Sequence, residues 1–234
     1  MTIYDLLILQ FIAHLLADYT FQPELWVRHK RRYGIRSHIL KWHVLVVFFI
    51  SFVLADQWLF VFPSIIIALS HLLIDGFKDK AKLGRYTFFI DQAWHLVLIS
   101  GAVILFEKHF GLKPIIQLPI NTHHLLIIAT FLFCTKPANI LIKELLNYFK
   151  IAIPSRPHND LLNAGKVIGI MERLLTITFV LLGQYEAVGF LIAAKSILRY
   201  EGNNPGKTEY VLIGTLLSFG IAIMLSVVIL KLNV

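Results

Sequence analysis

Residues 60–95 read FVFPSIIIALSHLLIDGFKDKAKLGRYTFFIDQAWH, and the reading of this stretch decides the fold. An apolar run closes on His71-Leu72-Leu73-Ile74-Asp75, a short basic loop follows, and the next apolar run opens on Asp91-Gln92-Ala93-Trp94-His95. Positions four apart share one face of a helix, about 6 Å apart along its axis, so each pair aims an imidazole and a carboxylate the same way. In antiparallel neighbouring helices, Asp75 and Asp91 would flank the turnaround, with His71 and His95 one turn further in. His14 and Asp18 repeat the spacing in the first apolar segment.

Composition extends this reading to the whole chain. Of 234 residues, 57% are hydrophobic and only 15% charged, with a mean hydropathy of +0.72. A soluble domain carries about a quarter charged residues. The expected fold is therefore all-α, a polytopic transmembrane helical bundle forming one membrane domain. Its apolar segments are Asp5–Gln22, Ile39–Ala55, Leu59–Asp75, Asp91–Phe106, Thr122–Thr135, Val167–Leu182, Ala187–Leu198 and Tyr210–Leu230. Several fall short of the roughly 20 residues of a full crossing, so their ends are expected to reach into the flanking loops.

Basic residues give the orientation. Lys and Arg number six in residues 23–41, four in 76–90, five in 136–166 and two in 199–209. The connections around Asp56 and Glu186 hold none, and the remaining one holds Lys108 and Lys113. This alternation predicts eight spans, both termini outside and the basic loops in the cytoplasm. The net charge of +8 is then an orientation signal that suits membrane lipid, not a nucleic-acid surface. Asp5 interrupts the opening apolar run, which reads as a retained span and not a cleaved signal. The single cysteine, Cys134, excludes an internal disulfide and gives no support to a thiolate metal site. Between Lys136 and Lys166 the spacing predicts an interfacial amphipathic helix, followed by a turn at residues 155–160 around Pro157. Asn203-Asn204-Pro205-Gly206 predicts another turn.

The polar residues gather at the cytoplasmic ends of these spans. A carboxylate within a span costs about 2.5–3.5 kcal/mol, so a chain that keeps several needs partners for them. A divalent metal, zinc, manganese or iron, would partner all of them at once through imidazole nitrogen and carboxylate oxygen. The candidate ligands are His71, Asp75, Asp91 and His95, with His14 and Asp18 next. Asp18, Asp75 and Asp91 are the candidate proton acceptors for a metal-activated water, and Gln22, His38 and Gln92 the candidate neighbours of the ligands. Lys78, Lys80 and Arg85, together with Arg173 and Lys195, are candidate contacts for an anionic substrate group. Glu172, Arg173, Lys195 and Glu209 equally suit ion pairing among the later spans. The chemistry expected of such a centre is hydrolysis of a lipid-like or phosphate-containing substrate. Nucleophile, phosphate-loop and dinucleotide motifs are missing from the sequence.

Three other readings compete with hydrolysis. Each His/Asp pair could simply clamp neighbouring helices through a hydrogen bond. Buried acids, histidines and lysines also suit a proton- or metal-coupled transporter, although the interrupting glycines of such folds are concentrated here in the second half. Residues 136–166 would suit a scaffold or sensor subunit that recruits a cytoplasmic protein.

The segment His14-Leu15-Leu16-Ala17-Asp18-Tyr19-Thr20-Phe21-Gln22 resembles the opening signature, HLLADF followed by Gln, of a prokaryotic membrane family, the domain of unknown function 3307. Position 19 is Tyr where the signature has Phe. The resemblance continues through His38, His71-Leu72-Leu73-Ile74-Asp75 and the Asp91-Gln92 to His95 pattern, over roughly residues 3–110. It implies a multi-pass protein of the prokaryotic cytoplasmic (inner) membrane and carries no activity with it. A looser likeness to membrane-bound metal-dependent hydrolases rests on pattern analogy alone.

Overall fold

The computed structural model describes residues 1–77, 84–116, 120–151, 164–198 and 205–232. Every described element is helical, and each of the eight apolar segments expected from the sequence is a helix. The chain folds as two compact units, Met1–Ala129 and Thr130–Val234.

The first unit begins with α1, Ile3–Leu15. Thr2 caps it: its hydroxyl accepts the Asp5 N–H at 3.2 Å, and the Asp5 carboxylate accepts the Thr2 N–H at 2.6 Å. Asp5 also accepts the Thr122 hydroxyl at 2.5 Å. Beyond Leu15 the helix widens into a π turn, Leu16–Thr20, closed by Phe21 N–H on the Leu16 carbonyl at 2.8 Å. The helix α2, Glu24–Tyr33, lies where the sequence reading placed only a basic connection. Pro23 precedes it and no breaker occurs before Gly34, whose φ of 52° ends it. Six bases in residues 23–41 had masked this helical stretch as an orientation signal.

The remaining long helices of this unit are α3 (His38–Ala55), α4 (Val61–Phe77) and α5 (Thr87–Phe110). α3 packs on α4, α4 on α5, and α1 closes the bundle against α3 and α5. α5 is 24 residues long, outrunning its expected segment at both ends. At one end of the bundle the turn after α2 presses on α4, where a Cβ on Gly76 would lie 3.3 Å from Ile35. Towards the other end the core is dry: Leu6, Ala55, Phe60, Val103 and Phe106 are buried together, with the Phe60 and Phe106 rings 5.0 Å apart. Between the two lies a polar layer. Gln10 Nε2 donates to the Ser51 carbonyl at 2.9 Å, Ser51 Oγ donates to Gln10 Oε1 at 2.7 Å, and Ser64 Oγ is 3.2 Å from Ser51 Oγ.

α6, Thr122–Phe133, runs to a break at Cys134 and Thr135, and α7, Lys136–Tyr148, leaves it bent by 56°. In the second unit α8 (Ala164–Leu181) packs against α7, α9 (Tyr185–Leu198) and α10 (Pro205–Lys231). Among the described residues, five stretches are long and apolar enough to cross a membrane: Ile3–Thr20, His38–Ala55, Trp58–Phe77, Gly84–Phe110 and Thr208–Lys231. The bent pair α6 and α7 makes a sixth if counted as one span. Residues 155–160 and Asn203-Asn204, read from the sequence as turns, lie outside the described residues.

Candidate metal centre

α1 with its π turn, α3, α4 and α5 each send imidazole or carboxylate groups into one cluster. His71 and His95 face each other from α4 and α5, ring centroids 4.0 Å apart, and His14 of α1 lies 5.5 Å from His71 and 5.3 Å from His95. All three rings are buried. Asp18, in the π turn, stands 3.8 Å from His14 Nδ1 and 3.3 Å from His71 Nε2. A wide turn of this kind inserts one residue into the helical register and is a frequent feature of functional sites.

Ligand atoms fall into two adjoining sets. His14, Asp18 and His71 offer one set, and Asp75, Asp91 and His95 the other, each with its atoms within 4.8 Å of one another. Around a metal with bonds of about 2.1 Å, neighbouring ligand atoms sit roughly 3–4 Å apart, so small inward movements would close either set.

The protonation pattern of the rings is informative. His95 donates Nδ1–H to the Asp91 carbonyl at 2.9 Å, which leaves the Nε2 lone pair buried with no hydrogen-bond partner among the described residues. A ligand histidine is held in the same way, one nitrogen donating to a carbonyl or carboxylate and the other facing the ion. His14 follows suit: Nε2 donates to Gln92 Oε1 at 3.2 Å, and Nδ1 faces Asp18. His71 Nδ1 has no hydrogen-bond partner among the described residues, and Nε2 faces the Asp18 carboxylate. A buried polar atom left unpaired costs about 1–3 kcal/mol, and converging imidazole nitrogens of this kind are able to hold a cation.

Three contributors were not among the site candidates read from the sequence. His43 of α3 is fully buried, with Nε2 3.3 Å from Asp18 Oδ1 and 3.6 Å from Asp75 Oδ2, and Gln22 Nε2 is 3.0 Å from both its ring nitrogens. Lys30 of α2 is buried and ion-paired with Asp75. Tyr19 donates its hydroxyl to Gln92 Oε1 at 2.9 Å, so Gln92 links Tyr19 to His14. His38, the candidate neighbour on α3, is exposed, with its ring 4.6 Å from that of His29.

Of the candidate anion contacts, Arg85 is exposed in the turn Gly84–Tyr86, whereas Lys78 and Lys80 lie outside the described residues. In the second unit Arg173 is buried and donates to the Cys134 carbonyl (2.7 Å), the Thr135 carbonyl (3.2 Å), Asn139 Oδ1 (2.7 Å) and Ser218 Oγ (2.9 Å). These bonds use four of its five N–H groups on the break between α6 and α7 and its surroundings, making it a brace. Glu172 is ion-paired with Lys195, whose ammonium also stands 5.3 Å from the Phe219 ring, and Glu209 is exposed on α10.

Residues 6–127 match the family model described as protein of unknown function (DUF3307). The chain belongs to this family. The DUF3307 match covers α2 to α5 and takes in every member of the cluster: His14, Asp18, Lys30, His43, His71, Asp75, Asp91 and His95. The whole of the second unit, including the Arg173 brace, lies beyond it. No curated protein and no solved structure matches the chain.

Proposed function

We propose that this DUF3307 protein is an integral membrane, metal-dependent hydrolase, with a His/Asp centre inside the bundle of α1, α3, α4 and α5. The observation that carries the proposal is His95, which gives Nδ1–H to a backbone carbonyl and keeps a buried Nε2, unpartnered among the described residues, beside His14 and His71. His14, His71 and His95 with Asp75 and Asp91 are the proposed ligands, and zinc, manganese or iron the proposed ions. A bound ion would supply Lewis acidity and acidify a water at the site. Asp18 touches both His14 and His71 and is the least buried member of its set, which suits it to accept the proton of an incoming water. Gln92 and Tyr19 orient His14, and Lys30 balances the charge of Asp75.

The substrate we propose is lipid-like, with a phosphoryl, ester or amide group, because the centre lies between helices apolar enough for a bilayer. The topology that goes with it has eight crossings, both termini outside and the centre near the cytoplasmic face of a prokaryotic inner membrane. Its support is the alternation of basic and neutral connections. Transport is the weaker reading: Leu6, Ala55, Phe60, Val103 and Phe106 close the bundle beyond the Gln10 layer.

Elemental analysis of detergent-purified protein, prepared in metal-replete and chelator-free buffer, tests the centre. Stoichiometric divalent metal is expected in the wild type and its loss in His95→Ala, Asp75→Asn and Asp91→Asn, with helical circular dichroism retained. A wild type without metal would overturn the reading. Release of a headgroup or acyl chain from labelled lipid, dependent on the metal and abolished by Asp18→Asn, is the expected activity.

A further inference from the structure

The basic face of α2 lies outside the proposed metal centre. Lys30 fixes the rotation of this helix, because its buried ammonium pairs with Asp75. Residues two positions away on a helix point about 200° round, so Arg28 and Arg32 face outward together, one turn apart, and both are exposed. Arg36, in the turn Gly34–Arg36, and Lys41, in the first turn of α3, add two more exposed bases. From Tyr19 to Ala55 the sole acid is Glu24, which lies 3.7 Å from Arg28 in a fully solvated pair of little strength.

Large apolar side chains are exposed among these bases: Phe21, Leu25 (73%), Tyr33, Ile35 and Trp42 (61%). In bulk water such a surface would waste apolar area, and in the acyl region its guanidinium groups would be stranded. Only the headgroup zone of a bilayer accepts guanidinium, ammonium, indole and leucine side by side. The charge then decides which headgroup.

We infer that α2, with Arg36 and Lys41, is a receptor for the phosphodiester of anionic glycerophospholipids, seated over the His/Asp cluster through Lys30. Arginine suits this ligand because its planar fork meets two phosphate oxygens at once. The inference stands apart from the metal reading, since none of the four bases is a proposed ligand.

The test is electron paramagnetic resonance of the full chain in phosphatidylcholine vesicles doped with spin-labelled phosphatidylglycerol or spin-labelled phosphatidylcholine. Labelled phosphatidylglycerol is expected to be held about threefold more strongly than labelled phosphatidylcholine at low salt. That preference should vanish in the variant Arg28→Gln/Arg32→Gln/Arg36→Gln/Lys41→Gln and at roughly 0.5 M NaCl, where charges are screened over a few ångströms. Equal retention of the two lipids by the wild type, or a preference unchanged in the variant, would overturn the inference. Displacement of the labelled lipid by inorganic phosphate would overturn it in favour of a soluble anion. Elution volume and circular dichroism of the variant should match the wild type, because all four side chains are exposed. Its metal content should match as well, so failure here and failure of the metal centre are separate results.

Discussion

Lys30 and Asp75, 45 residues apart in sequence, form a buried ion pair that ties α2 to the end of α4. Asp75 belongs at the same time to one of the two sets able to hold a metal ion. The Lys30 ammonium is thus a cation already tethered where a divalent ion would bind.

Lys30→Met should therefore separate the two roles. Without metal the variant leaves a buried carboxylate short of its cation, and a loss of about 3 kcal/mol is expected, the usual scale for breaking one side of a buried pair. With saturating zinc or manganese the deficit should shrink, because the ion takes over the charge. Thermal unfolding in detergent, with and without metal, reads this directly. An identical metal-induced shift in Tm for wild type and variant would show that Lys30 and the ion do not share Asp75.

Gln92 accepts from both His14 and Tyr19, and so fixes which nitrogen of His14 carries the proton. Gln92→Leu should lower metal affinity about 10- to 100-fold, the typical effect of losing a group that orients a ligand. Competition against a chromogenic chelator measures it. Tyr19→Phe should have a smaller effect in the same direction, since Gln92 keeps its bond to His14.

The Gln10, Ser51 and Ser64 layer is a closed hydrogen-bonded set within an apolar bundle. Ser51→Ala strands the Gln10 carboxamide oxygen and should cost about 1–3 kcal/mol, whereas Gln10→Leu combined with Ser51→Ala should recover most of the loss. Denaturation in mixed micelles, read as a double-mutant cycle, checks the coupling.

Arg173 donates to the Cys134 and Thr135 carbonyls at the break after α6 and so ties that break to α8. Arg173→Lys keeps the charge but offers a single ammonium in place of a fork, so the second unit should lose several kcal/mol, of the order of a disrupted buried network. Gly169→Ala should act in the same direction more mildly, because its added Cβ would lie 3.3 Å from Arg173 Nη1. Limited proteolysis of the second unit would rank the two.

The sequence carried the apolar helices and the three His/Asp pairs because both announce themselves locally, in apolar runs and in a spacing of four. His43 escaped because no acid lies four residues from it: its carboxylate partners, Asp18 and Asp75, come from other helices and meet it only after packing. Lys30 was counted among loop charges, and nothing in Arg28 to Arg32 reveals that Lys30 turns inward. His38 drew attention as the histidine nearest the expected helix end, yet one and a half turns separate its direction from that of His43. The break between α6 and α7 left no local sign of the arginine that braces it, because Arg173 lies far along the chain. The π turn had no signature either, since Leu16-Ala17-Asp18-Tyr19-Thr20 is ordinary helical sequence.

That turn has a consequence for the reading frame of the first helix. A single supernumerary residue sets the phase between Ile3–Leu15 and everything that follows it, so removing one residue from Leu16–Thr20 would rewind the segment and swing Phe21 onward by about 100°. Gln22 would leave His43 and α2 would be carried off Asp75, although no side chain named in either contact had been altered. A one-codon deletion there should be more damaging than most substitutions among the proposed ligands.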